Sequence, residues 1–542
     1  MKKSYLFVSL FWLIVVGYFF LYGCYGINDA DDGFTLALSW RIFNGEIPYR
    51  DFILVRTPFS PVFHVLTLYL IPENYQVVFE RFLFYAMMGL SSLFGAFALS
   101  NAFQDDEDMQ LDPYVLAAMG FIYSVGSFSP MPWHTVDGVL FASAGALLLT
   151  RSLSFGSITF GMLLLTLAAL CKQSFYLVPL VGLLYIALQS KDWRRTVYSL
   201  FVLVSFVGLY LFMLYLLGAL DEFFVFTVGS SKIGDLLSAG VFEYLGLASV
   251  YYLAFVVLLI IAVRSKEAFS VDVRWLVPYA FISLLFLYPL GLFVYKVFLR
   301  GDDGVYVFYQ DKVAPVLFLM SVLLFLRVFR FEKKWMVLYF LVFISWSAGI
   351  SWGYRSPALF SVPLLFAFLI IARRFLAVGD LRRLSFYLLF MGLVAYFIAY
   401  QKPYCNPVRS GITYSLSDVF PKLTHIRVDR DSYEKYRELN ALLSRHGDNF
   451  KTMPGMPWAN YLSGTRAPVS IDWVFNAEMN GREEEVLKEL EEKHVVIFME
   501  KRPQLISVND SYDRFNSRTA FVVKNTWTKI DSTGHFDVYR HR

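Results

Sequence analysis

The stretch that decides how this chain is read is its beginning, Met1 to Pro61: MKKSYLFVSLFWLIVVGYFFLYGCYGINDADDGFTLALSWRIFNGEIPYRDFILVRTPFSP. Two lysines head an apolar run of about eighteen residues, Tyr5 to Tyr22, close to the roughly 20 needed to span bilayer hydrocarbon. A secretory signal begins the same way. Tyr22, Tyr25 and their neighbours are too bulky for a cleavage site that demands small residues, so the run reads as an uncleaved first membrane helix. Just beyond it stand Asp29, Asp31, Asp32 and Gly33, then an amphipathic run. Its Phe34, Leu36, Leu38, Ile42 and Phe43 are expected along the membrane surface, with Arg41 and Asn44 facing water.

The rest of the chain repeats that first segment. Of 542 residues, 57% are hydrophobic and only 17% charged, and the mean hydropathy is +0.52. Water-soluble domains carry about 25% charged residues, so a soluble globular enzyme is excluded and lipid is the missing solvent. Further apolar runs fall at Val77 to Leu99, Pro113 to Gly126, Val136 to Thr150, Ile158 to Cys171, Phe175 to Leu188, Val197 to Leu217 and Leu245 to Val263. Five more follow at Leu276 to Phe298, Val313 to Val328, Met336 to Ile350, Ala358 to Ala372 and Leu384 to Tyr400. The fold class is thus a polytopic α-helical membrane protein of about thirteen spans, or eleven if two short pairs are hairpins.

Cations orient it. Lys2 and Lys3, Lys191 with Arg194 and Arg195, Arg264 with Lys266 and Arg274, Arg327 to Lys334, and Arg373 to Arg383 all fall in alternate connections, which the positive-inside rule makes cytoplasmic. The N-terminus is therefore inside, and everything beyond Tyr400 outside. Residues 1–400 read as the membrane domain, with a first outer loop at 23–76, and 401–542 as a small extracytoplasmic α/β domain. In the latter, GREEEVLKELEEKH has helical charge spacing, VVIFME reads as a buried strand, and AFVVKN and HFDVYRH are strand-like. A net charge of +4, gathered nowhere, gives no footprint for nucleic acid. Three cysteines make no disulfide framework, although Cys24 and Cys405, both just outside the membrane, are close enough in this layout for a bond to be conceivable.

Charges at one membrane edge are where the chemistry of such a protein is sought. In the first outer loop, a carboxylate at the lipid boundary can take a proton as general base, and a second can hold a divalent metal that neutralises a phosphate leaving group. Asp31 and Asp32 can equally cap the helix that follows.

ADDGFTLALSWRIFNGEIPYRDFILVRTPFSP, Ala30 to Pro61, resembles the first outer loop of the C-type-fold glycosyltransferases that use polyprenyl-phosphate sugars, the group of protein mannosyltransferases and lipid A aminoarabinose transferases. The matching positions are Asp31, Asp32 and Gly33, then Pro48 to Phe52, then Arg56, Thr57 and Pro58. Asp32 stands where the family usually has Glu and Phe59 where it has a second proline, which leaves open which aspartate is the base. The match is good over the first hundred residues and one of layout thereafter.

What the resemblance implies is an enzyme, a transferase moving a sugar from a polyprenyl-phosphate donor to an extracytoplasmic glycan, lipid or protein by inverting displacement. Asp31, Asp32 and Asp137, the last in SPMPWHTVDGV, would be catalytic, with Asp31 and Asp137 as ligands of a divalent ion. Arg56, Lys172 in ALCKQSFYLVP and Arg355 in SWGYRSPALF would hold the donor phosphate, supported by His134, Tyr49 and Arg50. A transporter or flippase, or a polymerase or ligase of lipid-linked glycans, are the competing readings. The few ionisable residues inside the apolar runs, Glu80, Arg81 and Lys296, lie near run ends, whereas a transporter places them in mid-span.

Overall fold

The structure is a computed structural model that describes residues 2–126, 128–229, 276–300, 313–350, 356–375, 378, 380–403 and 405–542. The apolar runs become helices: α1 (Lys2–Tyr22), α4 (Gln76–Ala102), α5 (Pro113–Val125), α6 (His134–Arg151), α7 (Phe155–Cys171), α8 (Val178–Gln189) and α9 (Trp193–Leu216). Two helices of the first outer loop, α2 (Phe34–Phe43) and α3 (Phe59–Leu70), precede α4. After the short α10 (Leu220–Phe224) come α11 (Leu276–Val294), α12 (Ala314–Val328), α13 (Lys333–Gly349), α14 (Val362–Phe375) and α15 (Leu381–Ala399). Among the described residues, four helices are long and apolar enough to cross a membrane: Tyr5–Tyr22, Glu73–Ala102, Trp193–Leu216 and Leu381–Ala399. The expected run Leu245 to Val263 lies outside the described residues.

Local chemistry sets the helix ends. Asp112 caps α5 through the Tyr114 and Val115 amides, with Pro113 at the first helical position, where its missing N–H costs nothing. The stretch from Pro113 to Leu188, with its short apolar runs, forms tightly packed helices, because small residues let backbones approach. A Cβ on Gly145 of α6 would lie 2.9 Å from the Gly161 carbonyl of α7, so the two helices meet where neither carries a side chain. The bundle interior holds Phe84, Phe121, Met162, Leu341 and Phe366, while Leu184, Phe201, Phe212 and Leu216 face outward, as lipid contact requires.

One end of the bundle collects the cations that the sequence assigns to the cytoplasm. Asp106 accepts from Lys334 (3.1 Å) and Arg374 (2.9 Å), and Asp108 pairs with Arg373. The acidic NAFQDDEDMQLD connection thus neutralises two basic connections beside it.

Beyond Ala399, β3 (Phe450–Met453), β4 (Val496–Glu500), β5 (Thr528–Ser532) and β6 (Phe536–Arg540) form a sheet of order β3-β4-β6-β5; two two-residue strands, β1 (Tyr414–Ser415) and β2 (Arg427–Val428), pair separately. Strand β4 is buried along its whole length, runs parallel to β3 with Phe450 opposite Val496, and antiparallel to β6 with Ile497 opposite Tyr539. GREEEVLKELEEKH is helical over Glu483–Glu492. AFVVKN is not a strand: it lies in the helix Arg518–Thr526, where the Ser517 hydroxyl accepts from the Ala520 amide and Ala520 and Val523 bury one face. Helical spacing of the buried pair overrides the β-branched preference.

This sheet does not fold around a core of its own. Phe34, Leu38, Phe52 and Leu54 of the first outer loop pack with Met453, Ile471, Trp473 and Ile497, and Ile27, Leu36 and Ala37 with Tyr436, Trp458, Tyr461 and Phe498. That overturns the expected placement of α2 on the membrane surface. Arg41, expected in water, is 2% exposed, with Nε 2.5 Å from Asp472 and Nη1 2.7 Å from Glu46. The helix is apolar on two sides because it is covered on two sides.

Candidate functional site

The loop from α1 to α2 is wound around Asn28. Its side-chain oxygen accepts from the Ala30 and Asp31 amides (3.0 and 3.3 Å), its amide nitrogen donates to Asp31 Oδ2 (2.9 Å), and its backbone N–H to Asp32 Oδ2 (3.1 Å). Both carboxylates are thus held by one asparagine. Gly33 has its reason in Trp458, since a Cβ there would lie 2.0 Å from the indole. Arg81 of α4 ties the loop down, donating to the Gly23 and Gly26 carbonyls and pairing with Asp32 at 2.9 Å. Asp29 turns outward to Lys435 and Tyr436, each at 2.7 Å.

Asp31 and Asp32 are both harder to ionise than ordinary aspartates. Burial pushes Asp31 up to about 7, reinforced by Asp32 and opposed by Asn28 and Arg56. Burial pushes Asp32 up to about 6, with Arg81 the main opposing influence. Asp31 is the more accessible; Asp32 is buried and fixed by its ion pair, with Oδ1 making no hydrogen bond to a described residue.

Around Arg56 the structure gathers charged and titratable groups from distant parts of the chain. The Arg56 guanidinium lies over the Phe34 ring at 4.7 Å and within electrostatic reach of Asp31, Lys172 and His134. Lys172 follows the last turn of α7, is buried, and donates to Thr135 Oγ1 at 3.0 Å; burial and Arg56 push its ammonium down to about 7. Tyr49, in the left-handed region at φ 70°, donates to the Arg56 carbonyl at 2.6 Å and so positions the loop segment that carries it. Arg50 is not part of the cluster: it is exposed and grips its neighbour Asp51 at 2.8 Å. Arg355 lies outside the described residues.

Asp137 serves a different constellation. In the first turn of α6 and fully buried, it accepts from the Ser60 hydroxyl and faces His64 Nε2 at 3.2 Å, while His64 Nδ1 lies 2.7 Å from Glu80. Burial disfavours a charged imidazole, yet Glu80 and Asp137 together outweigh it and carry His64 up to about 10. The unit stitches α3 of the outer loop to α4 and α6. It leaves Asp137 engaged by a hydroxyl and a cationic ring, and Asp31 faces Arg56. Such surroundings do not fit a divalent ion, and no three His, Cys, Asp or Glu side chains converge on a metal position among the described residues. Cys24 is a free thiol, so the bond to Cys405 is not made.

Sequence reasoning missed Glu478. It sits in the short helix Asn476–Met479 of the C-terminal domain, is buried, and meets Arg56 Nη1 at 2.5 Å. Asn476 anchors that helix by accepting from the Arg518 amide and donating to the Ser511 and Asp513 carbonyls. Nothing local in FNAEMNGR marks the glutamate; only the fold brings it 422 positions back to Arg56. His64 was not singled out, and Glu80 and Arg81 were noticed only as charges near the end of an apolar run, without a role in the site.

No family model matches the chain, and neither does any curated protein. Solved structures do: ArnT from Cupriavidus metallidurans in the apo state and the same protein bound to undecaprenyl phosphate. Each is 12% identical, with a TM-score of 0.40 over 98% of this chain and 97% of the other.

Proposed function

We propose that this chain is an integral-membrane glycosyltransferase that moves a sugar from a polyprenyl-phosphate carrier to a hydroxyl of an extracytoplasmic glycan, lipid or protein. The observation that carries the reading is the placing of the Arg56 guanidinium, over the Phe34 ring, within electrostatic reach of Asp31 on one hand and of buried Lys172 on the other. A carboxylate within reach of an arginine that also neighbours a lysine is a set of groups that a displacement at a glycosyl phosphate can use. The resemblance of Ala30 to Pro61 to the C-type transferases supports it from the sequence side.

In this reading Asp31 is the base. It accepts the proton of the acceptor hydroxyl as that oxygen bonds to C1 of the sugar from the face opposite the phosphate. The C1–O bond to the phosphate breaks, its electrons staying on the leaving polyprenyl phosphate, where Arg56 and Lys172 offset the growing charge. Arg56 suits this task because its planar fork matches phosphate oxygens. The anomeric centre inverts in one step. Asp32, held by Arg81, positions the loop, and Asp137 does the same through Ser60 and His64. Arg355 is the proposed third phosphate ligand. The cation distribution supports a cytoplasmic N-terminus and an outer site, in the cytoplasmic membrane, with the C-terminal domain above it.

The test is reconstitution of the full chain in vesicles with a labelled polyprenyl-phosphate sugar and membrane-derived acceptors. Label appearing on an acceptor, with polyprenyl phosphate released in equal amount, supports transfer. Translocation of intact donor without transfer would sink it in favour of a flippase, and label in products of many sugar units would favour a polymerase.

A further inference from the structure

Arg56 is the residue best shaped for the donor phosphate, yet in this structure it already faces an anion. Both Glu478 carboxylate oxygens lie 2.5 Å from its Nη1, and the pair is largely buried. Arg56 Nε and Nη2 make no hydrogen bond to a described residue, so only part of the donor fork is engaged. An arginine meant solely to pin the C-terminal domain would have no need of this place. Arg41 does that pinning nearby, with its Nε on Asp472, Nη1 on Glu46 and Nη2 on the Val469 carbonyl. The contrast is one of engagement: all three Arg41 nitrogens are bonded to protein, while Arg56 is held through Nη1 alone by a single monovalent carboxylate.

We propose that Glu478 is the resting occupant of the donor-phosphate position at Arg56, displaced when the lipid-linked sugar enters, so that it sets donor affinity. The proposal rests on the donor reading above. A phosphate brings more charge and more acceptor oxygens than a carboxylate, so it wins the exchange while still having to compete. Removing Glu478 relieves Arg56 of the competitor and leaves its charge in place. Glu478 also lies near Asp31, whose ionisation its charge opposes. The exchange thus keeps an anion beside the base in both states.

The test compares wild type, Glu478→Gln, Glu478→Asp and Arg56→Gln of the full chain, purified in detergent, for binding of undecaprenyl phosphate and of uncharged undecaprenol. If Glu478 closes the site about nine-tenths of the time, Glu478→Gln binds the phosphate about tenfold tighter and the alcohol unchanged. Glu478→Asp, which keeps the charge, stays near wild type, and Arg56→Gln loses the preference for phosphate. Weaker or unchanged phosphate binding by a folded Glu478→Gln overturns the proposal, since a residue that orients Arg56 or docks the domain predicts that result. Should Glu478→Gln fail to fold, Glu478→Ala takes its place, and unchanged or weaker phosphate binding by that folded variant overturns the proposal. If wild type itself does not distinguish the phosphate from the alcohol, the donor reading fails, and that result is separate from either of the others.

Discussion

The helical bundle and the seam between the first outer loop and the C-terminal domain solve the problem of charge in opposite ways. The bundle confines it to its ends: between them the interior is Phe84, Phe121, Met162 and their like, Asp106 pairs with Lys334 and Arg374 at one end, and Glu80, Arg81 and Asp137 pair with the outer loop at the other. The seam buries it. Arg41 meets Asp472, which also holds Lys451 at 3.4 Å; Asp29 meets Lys435, which also pairs with Glu500; Arg56 meets Glu478. Apolar packing is non-directional, and close approaches such as that of Gly145 to Gly161 hold the bundle together. Buried ion pairs tolerate no sliding, because a charge left unpaired out of water costs several kcal/mol. The seam is therefore where geometry is fixed to the accuracy that chemistry needs.

The sharpest way to break that comparison is to remove a charge that serves reaction and not register. Asp31→Asn is expected to leave a folded chain with the same elution and thermal unfolding as wild type, and to lower turnover about 10²- to 10⁴-fold, the usual worth of a general base. Undiminished transfer by Asp31→Asn would show that the seam carries no chemistry at this position.

Asp472→Asn addresses register. It leaves Arg41 with Glu46 alone and Lys451 without its partner, both buried. The expected loss is about 3–5 kcal/mol of seam stability, read as a lower unfolding temperature and faster protease cleavage after Ala399. An equal response to a similar change in the exposed pair Arg50–Asp51 would erase the distinction between buried and surface charge.

Proton affinity sharpens it further. Asp31 must be ionised to act as base, so kcat/KM should fall as the pH drops below about 7, and because Lys172 is held down to about 7 it should fall again as the pH rises and that cation is lost. Arg56 favours the ionised form, so Arg56→Gln should move the acid limb to higher pH, beyond any loss of donor binding. A limb at pH 4 in wild type, or one that moves down in Arg56→Gln, would remove Asp31 from the role.

The two regions were also unequally legible. Helices such as α4 and α9 followed from apolar runs alone, since a bilayer converts composition directly into secondary structure. In the outer loop the stretch Ala30 to Pro61 pointed to Asp31 and Arg56, and the structure brings Lys172 and His134 within electrostatic reach of Arg56. The burial of α2 was not legible, because an apolar face looks the same whether lipid or protein covers it. Nor was the pairing of Arg41 with Asp472, 431 positions away, which leaves no periodicity in either segment. Asp137 was noticed as a charge at a membrane edge, but its commitment to His64 depends on α3 folding back beside α4 and α6, which no spacing announces.

The smallest expected effect lies on the lipid face of the bundle. Leu184 of α8 is 55% exposed, and its neighbours Leu180 and Leu188 point the same way. Truncating a buried leucine leaves a cavity, but at this face an acyl chain as apolar as leucine fills the gap, so neither transfer energy nor packing is lost on the scale of a core change. Leu184→Ala should alter the unfolding free energy by no more than about 0.5 kcal/mol and leave transfer at the wild-type rate. Charge makes the same position informative: Leu184→Asp, aimed at lipid with no partner, should block insertion or fold. If Leu184→Ala were instead as damaging as Asp472→Asn, α8 would have to be packed against protein at this face, and the division between a lipid-facing bundle and a charge-fixed seam would fail where it is simplest to check.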